Sequence, residues 1–78
     1  RRRFWLNYPQ KEITRPLIWE LSRKFDVVFN IRQASVSDAI VIVCLELEGQ
    51  RPEIKSAIAW LEAQGVHVEP VEIGVIES

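Results

Sequence analysis

The spacing of hydrophobic positions along the chain switches repeatedly between an alternating and a helical rhythm. From Arg2 to Tyr8, Phe4, Leu6 and Tyr8 alternate with Arg3, Trp5 and Asn7, as a half-buried strand requires. Tyr8-Pro9-Gln10-Lys11 ends that run. From Thr14 to Phe25, Leu17, Ile18, Leu21 and Phe25 recur at helical spacing. Pro16 falls in the first turn, where its missing N–H costs nothing, and Glu20 and Lys24 form a favourable pair one turn apart. Val27 to Ala34 is rich in β-formers, Ser35 to Asp38 reads as a turn, and Ala39 to Glu48 returns as the second arm of a hairpin. Gly49-Gln50-Arg51-Pro52 then punctuates the chain before Ile54, Ala57, Ile58 and Leu61, a second helical stripe that Gly65 stops with a left-handed residue. Val66 to Val71 reads as a last strand, and Pro70 restricts it to a sheet edge.

The order strand, helix, strand, strand, helix, strand predicts an α+β fold, the ferredoxin-like βαββαβ two-layer sandwich. In that fold the antiparallel strands run 4-1-3-2 across the sheet, the first and third are central, and both helices cover one face. Side-chain parity then places Phe4, Leu6, Phe29, Ile31, Val41, Val43, Leu45, Val66 and Val68 against the helices. The open face receives Trp5, Asn7, Val28, Asn30, Arg32, Ile40, Ile42, Cys44 and Glu46. A sheet with one solvated face alternates cleanly, yet Ala39 to Leu45 is apolar on both sides. Trp5, Val28, Ile40, Ile42 and Cys44 therefore mark a dimer or partner interface, with homodimerisation through the open sheet face as its simplest form. The plainer account is a few tolerated apolar side chains, or cover supplied by another part of a longer parent chain.

Length limits the rest. The 78 residues make a single domain, near the size where one core supplies about 3–5 kcal/mol of net stability. At 47% hydrophobic and 27% charged the chain has the composition of a folded globule, not of a disordered segment. The net charge of −1 provides no general attraction to nucleic acid or anionic lipid, although Arg1, Arg2 and Arg3 open the chain and Glu62, Glu69, Glu72 and Glu77 make its last quarter acidic. The basic start reads as a solvated edge in preference to a phosphate-binding arm. Cys44 is the only cysteine, and no signal peptide or membrane span is legible, so the expected compartment is the cytoplasm. The chain contains no Met, not even at its start, which suggests a piece cut from something longer.

The search for chemistry returns no catalytic centre. His67 is the single histidine and sits in a strand pattern, Cys44 lies mid-strand without a basic neighbour, and no metal-ligand spacing occurs. Glu46 and Glu48 share a strand face as an acid/base pair would, but a solvated strand end accounts for them better without a nucleophile nearby. No cofactor is implied. RNA-recognition motifs share this element order, but the third strand, Ala39 to Leu47, carries neither an aromatic platform nor positive charge. Nucleic-acid binding is accordingly the third choice, through Arg1 to Arg3, Trp5 and Arg32. Trp19 and Trp60 read as core margin.

The run from Pro16 through Leu17-Ile18 and Leu21 to Phe25-Asp26-Val27-Val28-Phe29-Asn30-Ile31 resembles the NIL domain, named for an Asn-Ile-Leu triplet in its second strand. Leu45-Glu46-Leu47-Glu48-Gly49, then Ile54, Ala57, Leu61 and Gly65-Val66, fit its third strand, glycine turn and second helix. Arg32 replaces the Leu of the triplet, and the hairpin around Ser35 to Asp38 is shorter than the usual glycine-containing loop. The resemblance implies a non-catalytic regulatory module. Such domains occur at the C-terminus of methionine-import ABC transporter ATPases, where they pair through their sheets and bind the amino acid, and others accompany ferredoxin modules. It puts Asn30 at the ligand-contacting asparagine, with Ile31 as core-facing support. Arg32 stands beside it, placed to hold a carboxylate or to pair with Glu46. The alternative is a protein-docking domain for transport or iron–sulfur machinery without a small ligand.

Overall fold

The alternating run at the start of the chain forms strand β1 (Arg2–Pro9), which buries Phe4 and Leu6 and leaves Arg3, Trp5 and Asn7 on its other side. The structure is a computed structural model and describes residues 2–10 and 15–71. The readings of Arg1, Lys11, Thr14, Glu72 and Glu77 lie outside those residues.

Helix α1 (Leu17–Lys24) is shorter than the expected Thr14 to Phe25, and Pro16 stands before its first turn and not in it. Its carbonyl nevertheless closes that turn, accepting from the Glu20 N–H at 3.0 Å. Leu17 and Leu21 are buried, and the chain leaves the helix in extended conformation at Phe25. Strand β2 (Val28–Val36) runs past the expected end at Ala34, and β3 (Ile40–Glu48) returns beside it. The extension is possible because Ser37 organises the tight turn. Its hydroxyl accepts from the N–H groups of Ala39 and Ile40 at 3.3 and 3.2 Å, and its own N–H donates to the Ile40 carbonyl at 3.0 Å.

Helix α2 (Arg51–Ala63) turns Ile54, Ala57 and Leu61 inward. Gly65 ends it with φ of 95°, the conformation that only glycine adopts at little cost. Its N–H donates to the Glu62 carbonyl at 3.0 Å, and that of Val66 to the Leu61 carbonyl at 3.2 Å, the paired bonds of a Schellman cap. Strand β4 (His67–Pro70) follows.

The sheet order is β2-β3-β1-β4, with every neighbouring pair antiparallel, so β1 and β3 are central as expected and Pro70 is on an edge strand. The stripes of both helices pack on one sheet face, where Leu6, Leu21, Leu45, Leu47 and Leu61 are the largest fully buried side chains. The domain is therefore the ferredoxin-like α+β sandwich. Trp60 packs at the core margin, edge-on to Phe25 at 6.2 Å between ring centroids. Trp19 stays exposed with the Arg23 guanidinium 5.4 Å above its ring. Glu20 takes Arg15 as its ion-pair partner, and Lys24 lies over the Trp60 ring at 6.0 Å. The Arg15 guanidinium holds the Glu20 carboxyl below its ordinary value of 4.5.

Candidate ligand and partner interface on the open sheet face

Strand register decides which side chains meet on the face away from the helices. Between β1 and β3, Arg3 lies opposite Glu46, Trp5 opposite Cys44 and Asn7 opposite Ile42. Between β2 and β3, Asn30 lies opposite Glu46, Gln33 opposite Cys44 and Ser35 opposite Ile42. The register slips at Arg32, which is the extra residue of a bulge between Ile31 and Gln33. Asn30 and Gln33 thereby occupy the same sheet face, with Arg32 inserted between them. Nothing in the local sequence signals this bulge, and Gln33 enters the face only because of it.

The face has an apolar half and a charged half along β3. At one end Ile40 and Ile42 are 38% and 37% exposed, large values for isoleucines on a central strand, whereas Val28 on β2, 66% exposed, lies opposite Glu48 at the charged end. Trp5 is half-buried between Cys44 of β3 and Glu69 of β4. Cys44 shares the patch but is buried, so it contributes little surface to a partner.

At the other end stands Glu46, which departs from the solvated strand end that its sequence suggests. Its carboxylate is buried and is approached from both neighbouring strands. Arg3 Nε donates to Oε2 at 3.1 Å, and Arg32 Nη1 lies 4.0 Å from Oε1. A charge taken out of water needs such partners, and it receives cations from β1 and β2 together. The pairing of Arg32 with Glu46 is the one anticipated from sequence. Arg3 was missed, because its alignment with Glu46 follows from a register that no local pattern displays.

Asn30 is exposed directly across from Glu46, next to Arg32, so the two candidate ligand residues do stand together at the charged end. Ile31 faces the helix side, opposite Leu45, but is 47% exposed because the helix layer does not reach that far along β2. His67 lies exposed on β4 opposite Asn7, on the same open face at the edge of the apolar patch, with Nε2 3.8 Å from Glu69 Oε2. Among the described residues no three His, Cys, Asp or Glu side chains gather as a metal site would require, and no helix is long and apolar enough to cross a membrane.

Chemically, this arrangement offers hydrogen-bond donors and acceptors at one end, with the Trp5 indole one pair away along the sheet, and exposed aliphatic surface at the other end. A solved structure with the same architecture is the C-terminal domain of an ABC transporter/ATP-binding protein from Enterococcus faecalis. It is 20% identical, superimposes with a TM-score of 0.82, and the match covers 92% of this chain and 84% of that one, a likeness of fold. No curated protein matches the sequence. Residues 2–70 match the NIL domain, and the chain belongs to the NIL domain family.

Proposed function

We propose that this NIL domain is a non-catalytic regulatory module that pairs with a second copy through its open sheet face and senses an amino acid such as methionine at that interface. The observation that carries the reading is the two-ended character of the face. Asn30 and Arg32 beside buried Glu46 would take the backbone groups of a zwitterion, Trp5, one pair along the sheet, would take its apolar side chain, and exposed Ile40 and Ile42 would face the second copy. Arg32 is close to half exposed and only loosely held by Glu46, so its guanidinium retains donors for a carboxylate. The Asn30 amide supplies both a donor and an acceptor. A thioether suits that side-chain position, since sulfur is polarisable and packs well against an indole such as Trp5.

The solved neighbour is the C-terminal domain of an ABC transporter ATP-binding protein, and this supports placing the module in the cytoplasm as an accessory to such an ATPase. A second reading is favoured by one observation: two hollows of the domain's surface lie at Arg2 and α2, away from the sheet patch. On that reading the open face docks directly onto a transporter or ferredoxin partner, with no small ligand between.

Light scattering at several concentrations, with and without methionine, separates the readings. A dimer stabilised by methionine supports the sensor. A monomer under both conditions overturns it in favour of docking to another protein.

A further inference from the structure

A groove of about 440 Å³ runs between the start of β1 and the outer side of α2. Its floor is apolar, made by buried Phe4 and Ile54 and half-buried Ile58. Its rim carries exposed Arg2, Arg51 and Lys55, with Glu62 at the far end. A second hollow of about 350 Å³ shares Arg2, Arg51 and Ile54 and continues toward Gly49 and Gln50.

The charges on this rim are placed against the local rules. Arg51 and Lys55 are like charges one helical turn apart, which repel. Arg51 stands in the first turn of α2, where the helix dipole disfavours cations, while the last turn carries no basic residue. Elsewhere Arg3 and Arg32 meet Glu46 and Arg15 meets Glu20, while Arg23 lies over the Trp19 ring. Among the described residues neither Arg51 nor Lys55 has a carboxylate within ion-pair distance, and Arg2 lies over the Phe4 ring at 5.2 Å. The acidic residue of the first turn, Glu53, instead accepts from the Asp26 backbone N–H at 3.1 Å. Three cations thus surround an apolar trough in a chain whose net charge is −1.

We propose that this groove docks an acidic segment of a partner protein, with carboxylates on Arg2, Arg51 and Lys55 and an aliphatic side chain on the floor of Phe4, Ile54 and Ile58. A peptide fits better than a small molecule. The rim residues from Arg51 to Glu62 extend over roughly 16 Å of helix, and the trough is open along that length, where a small-molecule site would enclose its ligand. A peptide laid in such a groove uses apolar anchors for affinity and rim charges for orientation. The surface is separate from the open sheet face, so a domain paired through its sheet still presents it.

The test is fluorescence anisotropy of the whole chain with a short labelled peptide of alternating Glu and Leu. Saturable binding is expected, weakening as salt rises, and weakening by roughly tenfold or more in the R51E/K55E double variant. Lys55→Gln is the milder companion if the double variant fails to fold by circular dichroism, and it too must bind more weakly. Ile58→Asp must reduce binding without touching the basic rim. Equal binding of a Lys and Leu peptide, unchanged affinity in these variants, no binding at all, or full displacement by millimolar inorganic phosphate would each overturn the proposal. The last outcome would mark a simple anion site.

Discussion

Arg3 Nε reaches Glu46 Oε2 at 3.1 Å across the β1 and β3 pair, and this contact partners a buried carboxylate near the end of a mostly apolar strand. Arg32, on the other side, is farther away at 4.0 Å and more exposed. The two arginines are therefore unequal partners. Arg3→Ala is expected to lower stability by about 1–2 kcal/mol, because it removes a charge-assisted hydrogen bond from a desolvated acceptor. Arg32→Ala is expected to cost about 0.5 kcal/mol or less, as exposed pairs do. Urea titrations of the two variants check this ranking, and equal losses would show that Glu46 does not depend chiefly on Arg3.

Leu45 lies fully buried on β3, between Phe4 of β1 and Ile31 of β2 in the register. Truncating it removes apolar burial and leaves a cavity in the layer where sheet and helices meet. Leu45→Ala is expected to cost about 3 kcal/mol. A domain of this size has about 3–5 kcal/mol in total, so most of the cooperative unfolding transition should vanish. Thermal denaturation followed by circular dichroism gives the answer, and a variant that melts within a few degrees of the parent would contradict the core assignment.

Tyr8 provides a pH dependence of definite sign. It packs against the core on the helix side of β1, and burial raises its phenol above the ordinary 10.0. The unfolded chain releases this proton first, near its ordinary value, while the folded chain still holds it. Tyr8 therefore leaves stability unchanged below that value and lowers it as the pH rises above it. The difference between the parent chain and Tyr8→Phe isolates the effect from the lysines, which titrate in the same range. Urea midpoints measured from about pH 8 to pH 11 should diverge from the variant's only in the upper part of the range. Parallel curves throughout would mean that the phenol is not desolvated.

Gly65 caps α2 at φ of 95°, so any side chain there forces a left-handed conformation. Gly65→Ala is expected to destabilise by about 1 kcal/mol, and Gly65→Asn by less, because Asn tolerates this region better. Calorimetric midpoints of the two variants rank them. The reverse order would point to a steric cause and not a conformational one.

Gly65 also illustrates what the sequence makes legible. A helical stripe of Ile54, Ala57, Ile58 and Leu61 followed by Gly specifies both a helix and its stop, because the signals are local. The same holds for the alternation of β1 and the long apolar run of β3, from which the element order, the fold and the two sheet faces follow. The hairpin was read short, since its turn rests on the Ser37 hydroxyl and not on a glycine. The ligand end of the site was legible only in part. Asn30 and Arg32 were adjacent in sequence and Ile42 was in the apolar run, but the bulge at Arg32 and the pairing of Arg3 with Glu46 depend on register between distant strands. Burial of Glu46 is the consequence that one-dimensional patterns could not convey, since a glutamate at the end of a strand is ordinarily solvated.

Ile42 offers the sharpest test of the open face, because it lies between Asn7 and Ser35 at the centre of the apolar half and is already 37% exposed. If water covers this face, Ile42→Glu exchanges one partly exposed side chain for another, and stability should shift by no more than about 1 kcal/mol. If a second copy covers it, a two-fold axis brings the new carboxylate close to its own symmetry mate inside a desolvated interface, and association is lost. The sheet-paired sensor therefore requires a dimer for the parent chain and a folded monomer for Ile42→Glu by light scattering. Asn30→Ala should leave that dimer intact and weaken methionine binding in calorimetry by roughly tenfold or more, the loss of an orienting hydrogen bond. Dimers that survive Ile42→Glu would place the interface elsewhere. An unchanged methionine affinity in Asn30→Ala would remove that amide from the ligand site, even if the dimer stands.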